Sequence, residues 1–239
     1  MHTRKKPLFR IAAQTNNRIN RQESTPMSQT AIPTVPPNIK VANPGPLGLF
    51  GFGVTTCLLS SINAGLIPPA SITAVIPLAF AYGGTAQFVA GIMELRLGNT
   101  FGGVAFTSYA MFWWWFSLMV WTVGAGWLKP SAPSGVATAL LIWGVFTFLL
   151  WIVTFRLNKI LWSVFLLLTI TFFLLAAKDY GLGDVYGKLG GYFGLATGID
   201  AILLAFFELL NAVAGYTVVP LGSPIVINPS LTGRIGVGI

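Results

Sequence analysis

Six stretches of about twenty apolar residues follow one another along this chain with almost no charge inside them. That pattern decides its class. A soluble fold must cover its surface with polar groups, and soluble domains are about 25% charged. Here only 8% of residues are Asp, Glu, Lys or Arg, against 54% hydrophobic. The runs expected to span a bilayer are about Pro46–Leu66, Ser71–Met93, Thr100–Gly124, Val136–Phe155, Ile160–Ala177 and Leu189–Val219. Each is long enough to cross ~30 Å of hydrocarbon as an α-helix. None alternates with period two, so a strand barrel is excluded. The expected fold is all-α, a polytopic membrane protein with six transmembrane helices.

The charges that remain orient it. Residues 1–42 carry seven of the fourteen Lys and Arg against one acid, Glu23, and so hold +6 of the net +8. Placing the N-terminus inside puts eleven basic residues on the cytoplasmic side and three outside, so both termini are expected in the cytoplasm. The basic balance belongs to a tail and not to a nucleic-acid surface. Three parts are expected: a disordered basic tail at 1–42, a six-helix transmembrane domain at 43–222 and a C-terminal tail at 223–239. Met27, followed by Ser-Gln-Thr-Ala, would serve as a start, with 1–26 an over-extended N-terminus. An Arg-rich, acid-poor transit peptide is the rival.

One cysteine, Cys57, and one histidine, His2, allow no internal disulfide and no His/Cys metal cluster. Nothing within the membrane resembles a nucleophile–base pair, so an enzyme is not expected. No Lys or Arg falls inside a span core. The intramembrane acids are Asp200 and Glu208, both on span six with Asn211 nearby. Such groups are kept where they line a cavity, carry protons or tie helices together, and Glu208 fits any of these. Further polar candidates to line a path are Thr55 and Thr56 on span one, Gln87 on span two and Ser108 on span three. With no buried cation, a crossing anion must use neutral donors and helix N-termini, or travel with a proton. Two helix starts suit that role. Asn43-Pro44-Gly45-Pro46 enters span one with Asn43 as its expected cap, and Asn99-Thr100 enters span three. Gly190, Gly194 and Gly198 form a ladder on span six, suited equally to packing within one subunit or between subunits.

The ordered motifs are specific. Asn43-Pro44-Gly45-Pro46-Leu47-Gly48-Leu49, then Gly51-Phe52-Gly53 and Thr55-Thr56, closely resembles the signature of the acetate uptake transporter family, whose usual form is Asn-Pro-Ala-Pro-Leu-Gly-Leu. Gly45 replaces the Ala. The likeness continues through Tyr82-Gly83-Gly84, Ala86-Gln87 and Ala90-Gly91 to Glu94. It runs on through Gly98-Asn99-Thr100-Phe101-Gly102, Ala105 to Tyr109, and Trp143 to Thr147, and ends at Glu208 and Asn211, covering about residues 40–222. The resemblance implies a monocarboxylate transporter or channel of the plasma membrane, often a hexamer. It would carry acetate and, in some members, succinate, with no cofactor. It also implies a hydrophobic neck, at which Phe52, Tyr109 and Leu168 fall by motif alignment. The function expected is acetate permeation coupled to protons. The alternatives are a passive channel and a non-transporting membrane sensor or scaffold.

Overall fold

The computed structural model describes residues 41–225. The expectations for the N-terminal tail, for Met27 and for most of the C-terminal tail lie outside those residues. Among the described residues the architecture is all-helical. It comprises α1 (Gly45–Asn63), α2 (Pro69–Arg96), α3 (Thr100–Gly124), α4 (Pro133–Thr154), α5 (Lys159–Asp179) and α6 (Asp184–Ala214). Five of the six are long and apolar enough on their own to cross a membrane. The exception, α3, has 25 residues. Its Trp113-Trp114-Trp115 run and its hydroxyl residues lower its apolarity.

Short connections force consecutive helices to run antiparallel. They close into a ring in which α1 packs on α6 and on α2, α2 on α3, α4 on α5, and α5 on α6. Aromatic side chains join α3 to α4: Phe112 meets Trp143 edge-on at 5.4 Å between ring centroids. The interior carries Phe52, Tyr109, Phe112, Phe165, Leu168 and Phe172, all buried. The outer faces carry exposed Leu, Ile, Val and Phe. That is the reverse of a soluble protein and suits lipid.

Two features differ from the sequence reading, and a third bears on an alternative that it left open. First, α6 begins at Asp184, five residues before Leu189, and ends at Ala214, five before Val219. The polar stretch expected between spans five and six shrinks to a four-residue turn, because Gly181 and Gly183 take positive φ of 87° and 127° and reverse the chain at once. At the other end Gly215, at φ 76°, stops the helix.

Second, α2 is not one regular helix. It opens with a 3₁₀ turn at Pro69–Ser71 and passes through wide π-helical turns over Ala79–Ala86 before regaining α geometry. The hydroxyl of Thr85 donates to the carbonyl of Phe80, five residues back, at 3.0 Å. The Trp114 indole N–H reaches the same carbonyl at 3.2 Å. A π turn inserts one residue and rotates the remainder of the helix, and such turns gather at functional sites.

Third, the glycine ladder on α6 is spent inside the bundle. A methyl group on Gly198 would meet Cys57 Sγ at 2.5 Å and the Gly53 carbonyl at 2.8 Å. Gly194 faces Ser60 of α1, and Gly190 faces Leu174 and Leu175 of α5.

Candidate functional site

A path can be followed along the axis of the ring. At the end where α1, α3 and α5 start lies a hollow of about 170 Å³, lined by Asn43, Gly45, Glu94, Asn99, Gly102 and Glu208 among others. Local chain geometry builds it. Gly98, at φ 82°, turns the chain from α2 into α3 in three residues. The turn brings Glu94, in the last turn of α2, beside Asn99, the N-cap of α3. The Asn99 side chain accepts from the Gly102 N–H at 3.1 Å and donates to Glu94 Oε2 at 2.7 Å. Glu94 is buried. Across the hollow, Asn43 Oδ1 accepts from the Gly45 N–H at 2.9 Å, and its amide donates to Glu208 Oε2 over a long 3.4 Å. The N-cap of α1 is therefore Pro44, and Asn43 acts from one residue earlier. Proline has no N–H to lose at Pro46, so the ring sits in the first turn at no hydrogen-bonding cost.

Leu49, Phe101, Phe106 and Leu161 lead from this hollow into a narrower cavity of about 30 Å³. Phe106 reaches this place because Gly48 has no side chain; a methyl there would sit 2.8 Å from the Phe106 ring. Phe52, Tyr109 and Leu168 line the narrow cavity together, with Gln87 and Phe165. The Phe52 and Tyr109 rings lie 5.7 Å apart. Tyr109 is held from behind: its hydroxyl donates to Thr147 Oγ1 at 2.9 Å, and Thr147 donates to the Trp143 carbonyl at 2.7 Å.

One helical turn further, Phe112 and Phe172 meet edge-on at 5.3 Å, with Trp143 against Phe112. Beyond them opens a second hollow of about 490 Å³, with Asn63, Lys178, Asp179, Asp184 and Lys188 on its lining. Two apolar layers thus stand in series between the two hollows.

The structure gathers Asn43, Asn99 and Glu208 at one mouth, and Phe52, Tyr109, Leu168 and Gln87 at the neck. It does not bring the other candidates to the path. Thr55 and Thr56 donate back to the carbonyls of Gly51 and Phe52 at 2.8 and 2.7 Å, and both are buried in packing. Ser108 lines neither hollow nor neck. The Thr100 side chain is exposed beside the N-cap. Asn211 binds the chain that follows α6, accepting from the N–H groups of Val218 and Val219 and donating to the Val219 carbonyl. Asp200 takes a hydrogen bond from Ser163 between α5 and α6. The sequence reading names Glu94 only within the family motif and does not single out Phe112 and Phe172. The signal for Glu94 was its five-residue spacing to Asn99 across a glycine. A turn of helix beyond Tyr109 and Leu168 would have pointed to the second layer.

A ring of apolar helices around a constricted axial path is the architecture of a membrane permease or channel. Residues 27–223 match the model of the GPR1/FUN34/yaaH family, and the chain belongs to that family. It is 39% identical over 185 residues to the succinate-acetate/proton symporter SatP of Escherichia coli strain K12, covering 77% of this chain and 97% of that protein. It is 37% identical over 193 residues to acetate permease A of Emericella nidulans, covering 74% of this chain and 62% of that one. Among solved structures, the bacterial acetate channel SatP superposes with a TM-score of 0.73 at 39% identity, covering 77% of this chain and all of the other. The chain is a multi-pass protein of the plasma membrane.

Proposed function

We propose that this protein is a permease for acetate and related short carboxylates such as succinate, and that it moves them together with protons. The carrying observation is the lining along the axis: a hollow that carries Asn43, Glu94, Asn99 and Glu208 adjoins an apolar neck with no fixed cation on it. An ionised carboxylate in such a neck would be stripped of water with no cation to compensate it, whereas an acid, or an anion with a proton, strands no charge. Glu94 and Glu208, at the mouth, stand next to the neck and can hand on a proton there, as Asp179 and Asp184 can at the far hollow. In this reading six helices cross the bilayer, α3 being held in it by its neighbours. Both termini lie in the cytoplasm, with the Asn43 mouth on that side, and the protein assembles as a homo-oligomer, a hexamer. The likeness to a solved acetate channel favours a second reading, passive flow through a neck that wets and dries.

Uptake of labelled acetate into proteoliposomes, with and without an inward proton gradient, tests both. Accumulation above equilibrium that follows the gradient is the expected result. Equilibration without accumulation would leave the channel reading. No protein-dependent flux would sink the whole proposal.

A further inference from the structure

Gln87 is 1% exposed, and no protein group donates to its Oε1. A buried carbonyl without a partner is costly, and one retained in a native interior calls for an explanation. Its position supplies one. Gln87 lines the narrow cavity beside Phe52, Tyr109 and Leu168. It is the first residue after the π-helical turns of α2. Tyr109 is the other polar side chain on that lining. Its proton is already committed to Thr147, whose own proton is committed to Trp143. The neck therefore has one carboxamide to offer a solute, and otherwise only acceptors and hydrocarbon.

We propose that Gln87 makes the neck a seat for the un-ionised carboxylic acid and disfavours the carboxylate. The assignment rests on the permease reading and adds to it the chemical form in which the substrate passes. An acid carries an O–H donor and a C=O acceptor on one edge. A carboxamide carries an acceptor and an N–H donor on one edge. The two pair through two hydrogen bonds, and the unmet Oε1 receives the acid proton. A carboxylate carries acceptors alone. It can take one amide N–H, but then sets its second oxygen against Oε1 in an apolar, water-poor site. Turning the amide over exchanges the two edges and leaves this complement unchanged. Selection by Gln87 acts on the substrate's own proton and needs no titrating group in the neck.

The test holds pH fixed and varies the acid. Purified protein in liposomes, with protein-free vesicles subtracted, is given labelled acetate, fluoroacetate or acetamide at equal total concentration. Fluoroacetate is nearly the size of acetate but a much stronger acid, so far less of it is un-ionised. Acetamide is neutral and presents the same donor–acceptor edge as acetic acid. The expected result is that acetate enters faster than fluoroacetate in proportion to their un-ionised fractions, and that acetamide enters in a protein-dependent way. Gln87→Leu and Gln87→Met should each lower acetate and acetamide flux by about tenfold, the scale of losing one well-made hydrogen bond. Melting curves in detergent identify a variant that has failed to fold, and Gln87→Met nearly preserves the length of the side chain. Equal rates for acetate and fluoroacetate, or full acetate flux through a folded Gln87 variant, would overturn the assignment while leaving the permease standing. Absence of any protein-dependent acetate flux would overturn the permease reading itself, and the assignment with it.

Discussion

Asn99 carries more of the mouth than Asn43 does, although the two stand in matching positions before a helix. Asn99 caps α3 and is the hydrogen-bond partner of buried Glu94. Asn43 satisfies one N–H of α1 and reaches Glu208 only over 3.4 Å. Losing a cap costs about 0.5–2 kcal/mol, and stranding a buried acceptor adds about 1–3. Asn99→Ala should therefore destabilise the protein by about 2–4 kcal/mol and Asn43→Ala by about 1, an order that thermal unfolding in detergent would check. Equal losses would mean that Glu94 finds another partner. The sequence made both asparagines visible, because Asn before a helix start has a known chemistry. It did not reveal which had a buried partner, since that depends on how tightly Gly98 turns the chain. Asn211 shows the same limit: its place near Glu208 suggested the path, but the chain returning after Gly215 binds it. Phe52 and Tyr109 were legible for a simpler reason. The family resemblance names them; standing nine and ten residues past Asn43 and Asn99, at a rise of 1.5 Å per residue, they also lie at about the same depth.

Helices pack at the distances their smallest residues allow, and the contact of α1 with α6 is set by Gly53 and Gly198. A methyl on Gly198 would collide with the backbone carbonyl of Gly53 as well as with Cys57. Backbone cannot step aside, so Gly198→Ala should push the two helices apart and cost about 1–3 kcal/mol. Gly45→Ala makes the contrast. Its methyl would meet Glu208 Oε2 at 2.7 Å and Asn43 Oδ1 at 3.0 Å, and both are ends of side chains that can move. Gly45→Ala should leave the melting temperature nearly unchanged while Gly198→Ala lowers it, and similar losses in both would mean that the mouth is as rigid as the helix contact. The number and type of the long helices were readable from apolar runs. The π-helical turns in α2 were not, because hydropathy has no term for a carbonyl displaced by one residue. Gly83 and Gly84 left a trace: methyls there would run into the Trp113 and Trp114 rings, so the backbone approaches α3 closely where it widens.

For the molecule as a whole, the proposed permease has two apolar layers in series, and flow through barriers in series is governed by the narrower. The first layer holds Phe52, Tyr109 and Leu168 around the 30 Å³ cavity. The second holds Phe112 and Phe172, with Trp143 bracing Phe112. Phe112 lies three residues past Tyr109, and Phe172 four past Leu168, so the layers are separated by about one turn, ~5 Å. Truncating the first layer alone, as in Phe52→Ala with Leu168→Ala, enlarges the small cavity but leaves the Phe112–Phe172 contact closed. That pair of changes should admit larger acids to the neck, so that benzoate competes with labelled acetate, without letting benzoate cross. Adding Phe112→Ala opens the second layer and should convert competition into transport. It should also raise the leak of small ions, because a wider, continuous path wets more readily. The measurement compares inhibition of acetate uptake with direct uptake of labelled benzoate in the double and triple variants, matched for the amount of folded protein. Benzoate entering as fast through the double variant as through the triple would show that Phe112 and Phe172 move freely, and that the first layer alone sets the size of solute that passes.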